Sequence, residues 1–140
     1  MDKIFHSTTA PPPVGHYPHA RRVGKLLYLS GVGPRKPGTN TIPGVTLAAD
    51  GKVAGHDVAA QTRSVFENVE AILLAAGLGF ADLVDVTVFL TDMARDFKTF
   101  NELWAKRFPD NPPCRTTVEV GALPTPIAVE LKCIAVYPED

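Results

Sequence analysis

The last third of the chain carries a period of two that commits it to a β-sheet with one buried face. Between Cys114 and Tyr137 the sequence reads CRTTVEVGALPTPIAVELKCIAVY. In the first run Arg115, Thr117 and Glu119 alternate with Thr116, Val118 and Val120. In the second, the apolar set Val129, Leu131, Cys133 and Ala135 alternates with a set that begins Glu130 and Lys132. Successive strand side chains point to opposite faces, so each run has one wet face and one packed face. A Pro-containing loop joins the runs. If the two strands pair as neighbours, Arg115 and Glu130 share the wet face.

Arginine and glutamate on one face suggest a chemistry. A guanidinium grips a carboxylate through two parallel hydrogen bonds, and a glutamate beside it can hold or activate water. Together they suit hydrolysis of a small organic acid. On a fully solvated sheet the same residues would amount to a cross-strand ion pair worth ~0.2–1 kcal/mol, and spacing alone leaves both readings open.

Punctuation and period organise the rest. After a Pro-rich entry, Lys25 to Leu29 reads as a strand ending at Ser30–Gly31, followed by a Gly-, Pro- and Thr-rich loop from Val32 to about Gly44. Asp50–Gly51 signals the turn of a small hairpin. From Asp57, a capping residue, the positions Val58, Thr62, Val65, Val69, Ile72, Leu73 and Ala76 repeat with helical spacing up to a stop at Gly77. Leu83 to Leu90 is a β-branched strand. A second helix over about Ala94 to Phe108 is expected to bury Phe97, Phe100, Trp104 and Phe108, and Pro109 with Pro112–Pro113 ends it. Strands, helix, strand, helix and two further strands imply an α+β domain with the helices on one face of a sheet.

Size and charge narrow the function. The 140 residues make one domain, able to bury ~68–70% of the surface of its unfolded chain. Lys+Arg of 14 against Asp+Glu of 15 gives a net charge of −1, with no basic stripe for nucleic acid and no polybasic segment for a membrane. No run approaches the ~18 apolar residues of a membrane span. The N-terminus MDKIFHSTTAPPP lacks the apolar core of a signal peptide, and the two cysteines, Cys114 and Cys133, form neither a C-x-x-C pair nor a disulfide framework. The expected setting is a reducing cytoplasm, and the expected partners are small molecules or copies of the chain.

Several chemistries fail on residue grounds. A zinc deaminase needs a His-x-Glu motif with Pro-Cys-x-x-Cys, and Pro113–Cys114 has no second cysteine at that spacing. His16 and His19 flank Pro18, which argues against a shared helical metal face. There is no G-x-G-x-x-G, Walker loop or G-x-S-x-G elbow. No metal and no organic cofactor is expected.

The run RTTVEVGALP from Arg115 to Pro124, followed by AVELKCIAVY, resembles the RidA (YjgF) family of small enamine and imine deaminases. The likeness continues through Gly15–His16–Tyr17, Tyr28–Leu29–Ser30–Gly31, QTRSVFENVEAILLAAGL, LVDVTVFLTD and Phe100 to Glu102, in order along nearly the whole chain. It implies a single domain over residues 1–140 with the chorismate mutase-like fold, two helices on one face of a β-sheet, assembled as a homotrimer with sites between subunits. It also implies roles. Arg115 grips the substrate carboxylate, Glu130 positions water and moves protons, and Tyr17, Ser30, Gly31 and Asn101 line the pocket.

Departures from the family pattern suggest adaptation. Thr117 stands where many members carry cysteine, His16 replaces a proline before Tyr17, and Lys132 stands where an acidic residue is common. The loop after Val32 is longer than in many such sequences and is the expected place for substrate-specific change. Thr117, His16 and Lys132 therefore join the candidate substrate-binding residues, with Arg21, Arg22 and Arg35 as further nearby cations. A resemblance within the family to the deaminases of 2-aminomuconate implies a dicarboxylic enamine substrate. A general 2-iminobutyrate deaminase and a trimeric ligand-binding protein without turnover are the alternatives.

Overall fold

A computed structural model describes residues 2–39 and 41–139. Strands β1 (Asp2–Phe5), β2 (Ala20–Val23) and β3 (Leu26–Leu29) open the chain, followed by a short hairpin, β4 (Val45–Leu47) and β5 (Val53–His56). Helix α1 (Val58–Ala75), strand β6 (Leu83–Leu90), helix α2 (Met93–Arg107) and strands β7 (Cys114–Glu119) and β8 (Val129–Val136) complete it. Six strands form one sheet in the order β1-β2-β3-β8-β6-β7. All its pairings are antiparallel except β6 with β7, which α2 links by the crossover that parallel neighbours require.

Alternation in β8 sets the layers. Val129, Leu131, Cys133 and Ala135 are buried and pack with Val86, Val88 and Leu90 of β6 beneath both helices. Helix α1 contributes Val65, Val69, Ile72 and Leu73 to that core, and α2 contributes Phe100 and Trp104. Rings of Phe66, Phe80, Trp104 and Phe108 meet at one end, with Trp104 and Phe108 centroids 4.5 Å apart. The expected layering of two helices on one face of a sheet is thus present.

Helix ends follow local chemistry. The Asp57 carboxylate accepts the Ala60 N–H at 3.2 Å, and Asp92 accepts that of Arg95 at 3.0 Å, each satisfying a donor that the first turn leaves open. Gly77, at φ +79°, lets Leu78 N–H reach Leu73 O at 2.8 Å, which closes α1.

Two expectations are corrected, and two strands are added. The strands carrying Arg115 and Glu130 are not neighbours, because β6 lies between β7 and β8. Phe97, expected in the core, is 37% exposed, on the part of α2 that overhangs the edge strand β7. The N-terminal strands β1 and β2 went unread because each spans only four residues, and ARRV and DKIF do not alternate cleanly. The turn Gly24–Lys25, with Gly24 at φ +62°, marks the β2–β3 hairpin.

Candidate active site

Glu130 stands on the open face of the sheet, opposite the helices. It is paired with Phe89 of β6, and on its other side the chain after β3 runs alongside. Val32 and Leu131 exchange backbone hydrogen bonds of 2.8 and 2.9 Å, which lays Ser30–Gly31 against Glu130. A Cβ on Gly31 would stand 2.7 Å from Glu130 Oε2, so only glycine lets the carboxylate lie against this backbone. Burial pushes the Glu130 carboxyl above its usual range. Among the described residues no side chain pairs with it.

The walls around Glu130 are pinned from within. Ser30 Oγ donates to Pro18 O at 2.7 Å, and Ser30 N–H to His19 O at 2.9 Å. His19 is buried; its Nδ1 accepts the Ser7 N–H at 2.9 Å and its Nε2 lies 2.8 Å from Pro11 O. Those partners require the proton on Nε2 and tie residues 7–11 to the start of β2, the strand paired with β3. A cleft results. Tyr17, Ser30, Gly31 and Glu130 contribute to its lining, with apolar Pro11, Pro13, Val32, Ile72 and Ile127 and with Arg35.

Arg115 belongs to a different place. Parallel pairing puts it beside Val86, whose partner on β8 is Cys133, so it shares the helix-side face at the sheet edge. Its Nη2 donates to Asn101 Oδ1 of α2 at 2.7 Å. The guanidinium carbon lies 5.1 Å from the Trp104 ring centroid, 5.7 Å from Phe100 and 5.8 Å from Phe97, a cation held against aromatic faces. Partial burial draws its pKa down, yet a guanidinium stays charged. It has no carboxylate partner among the described residues. Thr117, in register with Val88, shares this face, and its Oγ1 is buried without a hydrogen bond.

The expected site residues therefore separate. Tyr17, Ser30 and Gly31 gather around Glu130, whereas Asn101 and Thr117 gather around Arg115. The expectation that Arg115, Thr117, Glu130 and Lys132 share one sheet face is overturned: the first two face the helices, the last two the open side. The pattern misled because β7 is an edge strand whose helix-side face is only partly roofed, so polar residues are tolerated there. Lys132 Nζ donates to Leu29 O, and burial lowers its pKa. His16 lies outside the Glu130 cleft, in a separate recess with His6 beyond Tyr17. Burial pushes the Cys133 thiol up to about 12, so it is inert at neutral pH. Among the described residues no three His, Cys, Asp or Glu side chains cluster as for a metal. None of their helices is long and apolar enough to cross a membrane.

Arg35 was read only as one of several nearby cations, and His19 was not read as a site residue. Only the short spacing from Ser30–Gly31 to Pro34–Arg35 hinted at the first, and only the Pro18–His19 step before a strand hinted at the second.

Known proteins extend this picture. A RutC family protein of Saccharolobus solfataricus is 39% identical over 135 residues, 96% of this chain and 98% of that protein. The chloroplastic Reactive Intermediate Deaminase A of Arabidopsis thaliana is 37% identical over 95% of this chain and 65% of its own length. The crystal structure of Escherichia coli TdcF with bound serine superposes with a TM-score of 0.83 at 35% identity, covering 97% of this chain and 99% of that one. The family model described as endoribonuclease L-PSP matches residues 7–137. With that match and these relatives, the chain belongs to the RidA/YjgF family.

Proposed function

We propose that the chain is a hydrolytic deaminase of small 2-imino acids and their enamine tautomers, with each site assembled from two copies. One observation carries this reading. Glu130 and Arg115 are partly buried, have no ionic partner among the described residues, and sit on opposite faces of one sheet. A single copy cannot close both on one small substrate. Two copies packed open face against sheet edge can, and a homotrimer repeats that contact three times by rotation. Tyr28, Phe89, Val118, Ile134 and Val136 supply apolar area beside Glu130 and Lys132 on the open face, the mixed character of a wet interface.

In the assembled site Arg115 holds the substrate carboxylate in a bidentate grip, with Asn101 fixing the guanidinium. The enamine first takes a proton from solvent on carbon, which gives the protonated imine, an iminium. Glu130 of the other copy takes a proton from water as its oxygen adds to C2, forming a carbinolamine. It returns that proton to nitrogen, the C–N bond breaks, and ammonia leaves as the hydroxyl proton passes to solvent and the 2-oxo acid forms. Burial suits Glu130 to this exchange, since a raised pKa brings acid and base forms closer in energy.

The name of the Arabidopsis relative favours a general reactive-intermediate deaminase. The narrower reading, 2-aminomuconate as substrate, requires a second cation in the cleft. Ammonia release from 2-iminobutyrate and from 2-aminomuconate, measured side by side, decides between them. Acceleration of 2-iminobutyrate hydrolysis supports the general reading, and a strong preference for 2-aminomuconate the narrower one. Stoichiometric binding of carboxylates without ammonia would make the protein a binder instead. A net charge of −1 gives ribonucleic acid no electrostatic footprint.

A further inference from the structure

A line of hydrogen bonds joins the β4–β5 hairpin to the strand that carries Glu130, and a titratable ring stands at its outer end. Gln61, in the first turn of α1, is fully buried. Its Oε1 accepts the Ala128 N–H at 2.8 Å, and its Nε2 lies 2.9 Å from Nδ1 of His56, the last residue of β5. Ala128 is buried one residue ahead of β8, and its carbonyl accepts the Thr91 N–H at 3.1 Å. Ile127 before it lines the cleft, and Glu130 follows two residues after it. Gln61 is thus the partner of the main-chain donor at which the Glu130 strand enters the sheet.

One fixed donor sets the direction of every bond in the line. A backbone N–H can only donate, so the amide turns Oε1 to Ala128 and Nε2 to His56. Nε2 can only donate in its turn, so His56 Nδ1 accepts, and the ring is neutral with its proton on the other nitrogen. An imidazolium carries protons on both nitrogens. Two donors then meet at His56, or Gln61 turns over and sets its own N–H against that of Ala128. Either way a buried donor loses its acceptor, which folded interiors rarely tolerate. Among the described residues the charges that act on His56 come from α2: Arg95 disfavours the imidazolium, and Asp96 favours it but is buried and already held by Arg95 through two bonds of 2.7 Å. Asp92 lies 3.9 Å from Arg95, and Asp57, next to His56 in the chain, is turned to the Ala60 N–H. Burial first, and Arg95 second, draw the His56 pKa below its ordinary 6.5. Resting on the deaminase reading, we propose that Gln61 is a positioning residue for Glu130, holding the start of β8 in place only while His56 is neutral.

Hydrolysis of 2-iminobutyrate against pH, net of the uncatalysed rate, tests this, with the Ala128 amide and the His56 ring followed by NMR on the same protein. Wild type should lose kcat as His56 takes up its proton below pH 6.5, with KM within about twofold, because the substrate is held by Arg115 and not by Glu130. The Ala128 signal should move along the same titration. Glu130 has an acid limb of its own, so the His56 step is read as the difference between wild type and His56→Asn, whose Oδ1 replaces Nδ1 as an acceptor that cannot be protonated. That variant should stay within about twofold of wild type at neutral pH and keep only the Glu130 limb. His56→Leu offers no acceptor at any pH and should lower neutral kcat about 5- to 20-fold, part of what a full 1 Å misplacement costs. Gln61→Glu keeps an acceptor for Ala128, offers a second to a protonated ring, and should raise the His56 pKa. A His56→Asn profile identical to wild type, an Ala128 signal that stays still while His56 titrates, full kcat in His56→Leu, or no rise in Gln61→Glu each overturn the inference in an enzyme that remains active. A folded wild type that never accelerates the hydrolysis removes the deaminase reading itself, and this inference with it.

Discussion

The Cβ that Gly31 lacks would fall 2.7 Å from Oε2 and 3.1 Å from the carboxyl carbon of Glu130. The position of the carboxylate therefore depends on the missing side chain at residue 31. Gly31→Ala should fold, since Gly31 is exposed and not confined to positive φ, but it must push the carboxylate aside. A misplacement near 1 Å costs on the order of 100-fold in rate. Steady-state kinetics with an unchanged melting curve would support this, and wild-type kcat would count against a role for Glu130.

Arg115→Ala should lose about 2–5 kcal/mol of transition-state binding, the usual effect of removing one partner of a desolvated charge pair. Arg115→Lys should recover little, because an ammonium lacks the planar fork. If sites form between copies, mixing Arg115→Ala subunits with Glu130→Gln subunits restores part of the activity, as some interfaces then carry both intact residues. Absence of recovery after mass-verified subunit exchange would reject the shared site.

Glu130 also predicts a pH dependence with two signs. Its folded pKa is raised above the ordinary 4.5 by burial, so activity that needs the carboxylate should rise with pH along a limb lying above 4.5. That limb should be missing from the residual activity of Glu130→Gln. For stability, the raised value means the folded chain holds the proton more tightly than the unfolded one. The associated stability is fully present below 4.5 and is lost as pH climbs through the folded pKa. At about pH 7, Glu130→Gln should melt ~1–3 °C above wild type, and calorimetry in acid should show the gap closing. A variant less stable at neutral pH would contradict the absence of a partner for this carboxylate.

Asn68 anchors the loop from Gly33 to Arg35 by two bonds from one amide nitrogen. Asn68→Leu should cost about 1–3 kcal/mol by leaving carbonyls without their donor, and hydrogen exchange should quicken in the loop before it does in β8. Unchanged denaturation would show that other contacts suffice.

Much of this architecture was legible residue by residue. Asp57 and Gly77 bounded α1, the alternation from Val129 to Ala135 identified the packed face of β8, and Asp50–Gly51 marked the hairpin. What escaped was order in space. Nothing local in Cys114 to Glu119 says that β6 will insert between it and β8, because a parallel edge pairing is chosen by the α2 crossover and not by the strand. The face of Arg115 depends on that choice, so the site residues were recognised while their grouping was not. Arg35 was passed over as one surface cation among several, since its foundation comes from Ser64 and Asn68, some thirty residues downstream.

The bonds from Ser64 and Asn68 all end on main-chain oxygens: those of Gly33, Pro34 and Arg35. Main-chain atoms are the same whatever residue occupies the position, so the helix holds the shape of the loop while leaving the chemistry of its protruding side chain open. A single codon at position 35 could then be rewritten without redrawing the loop, because what the helix grips would be unchanged.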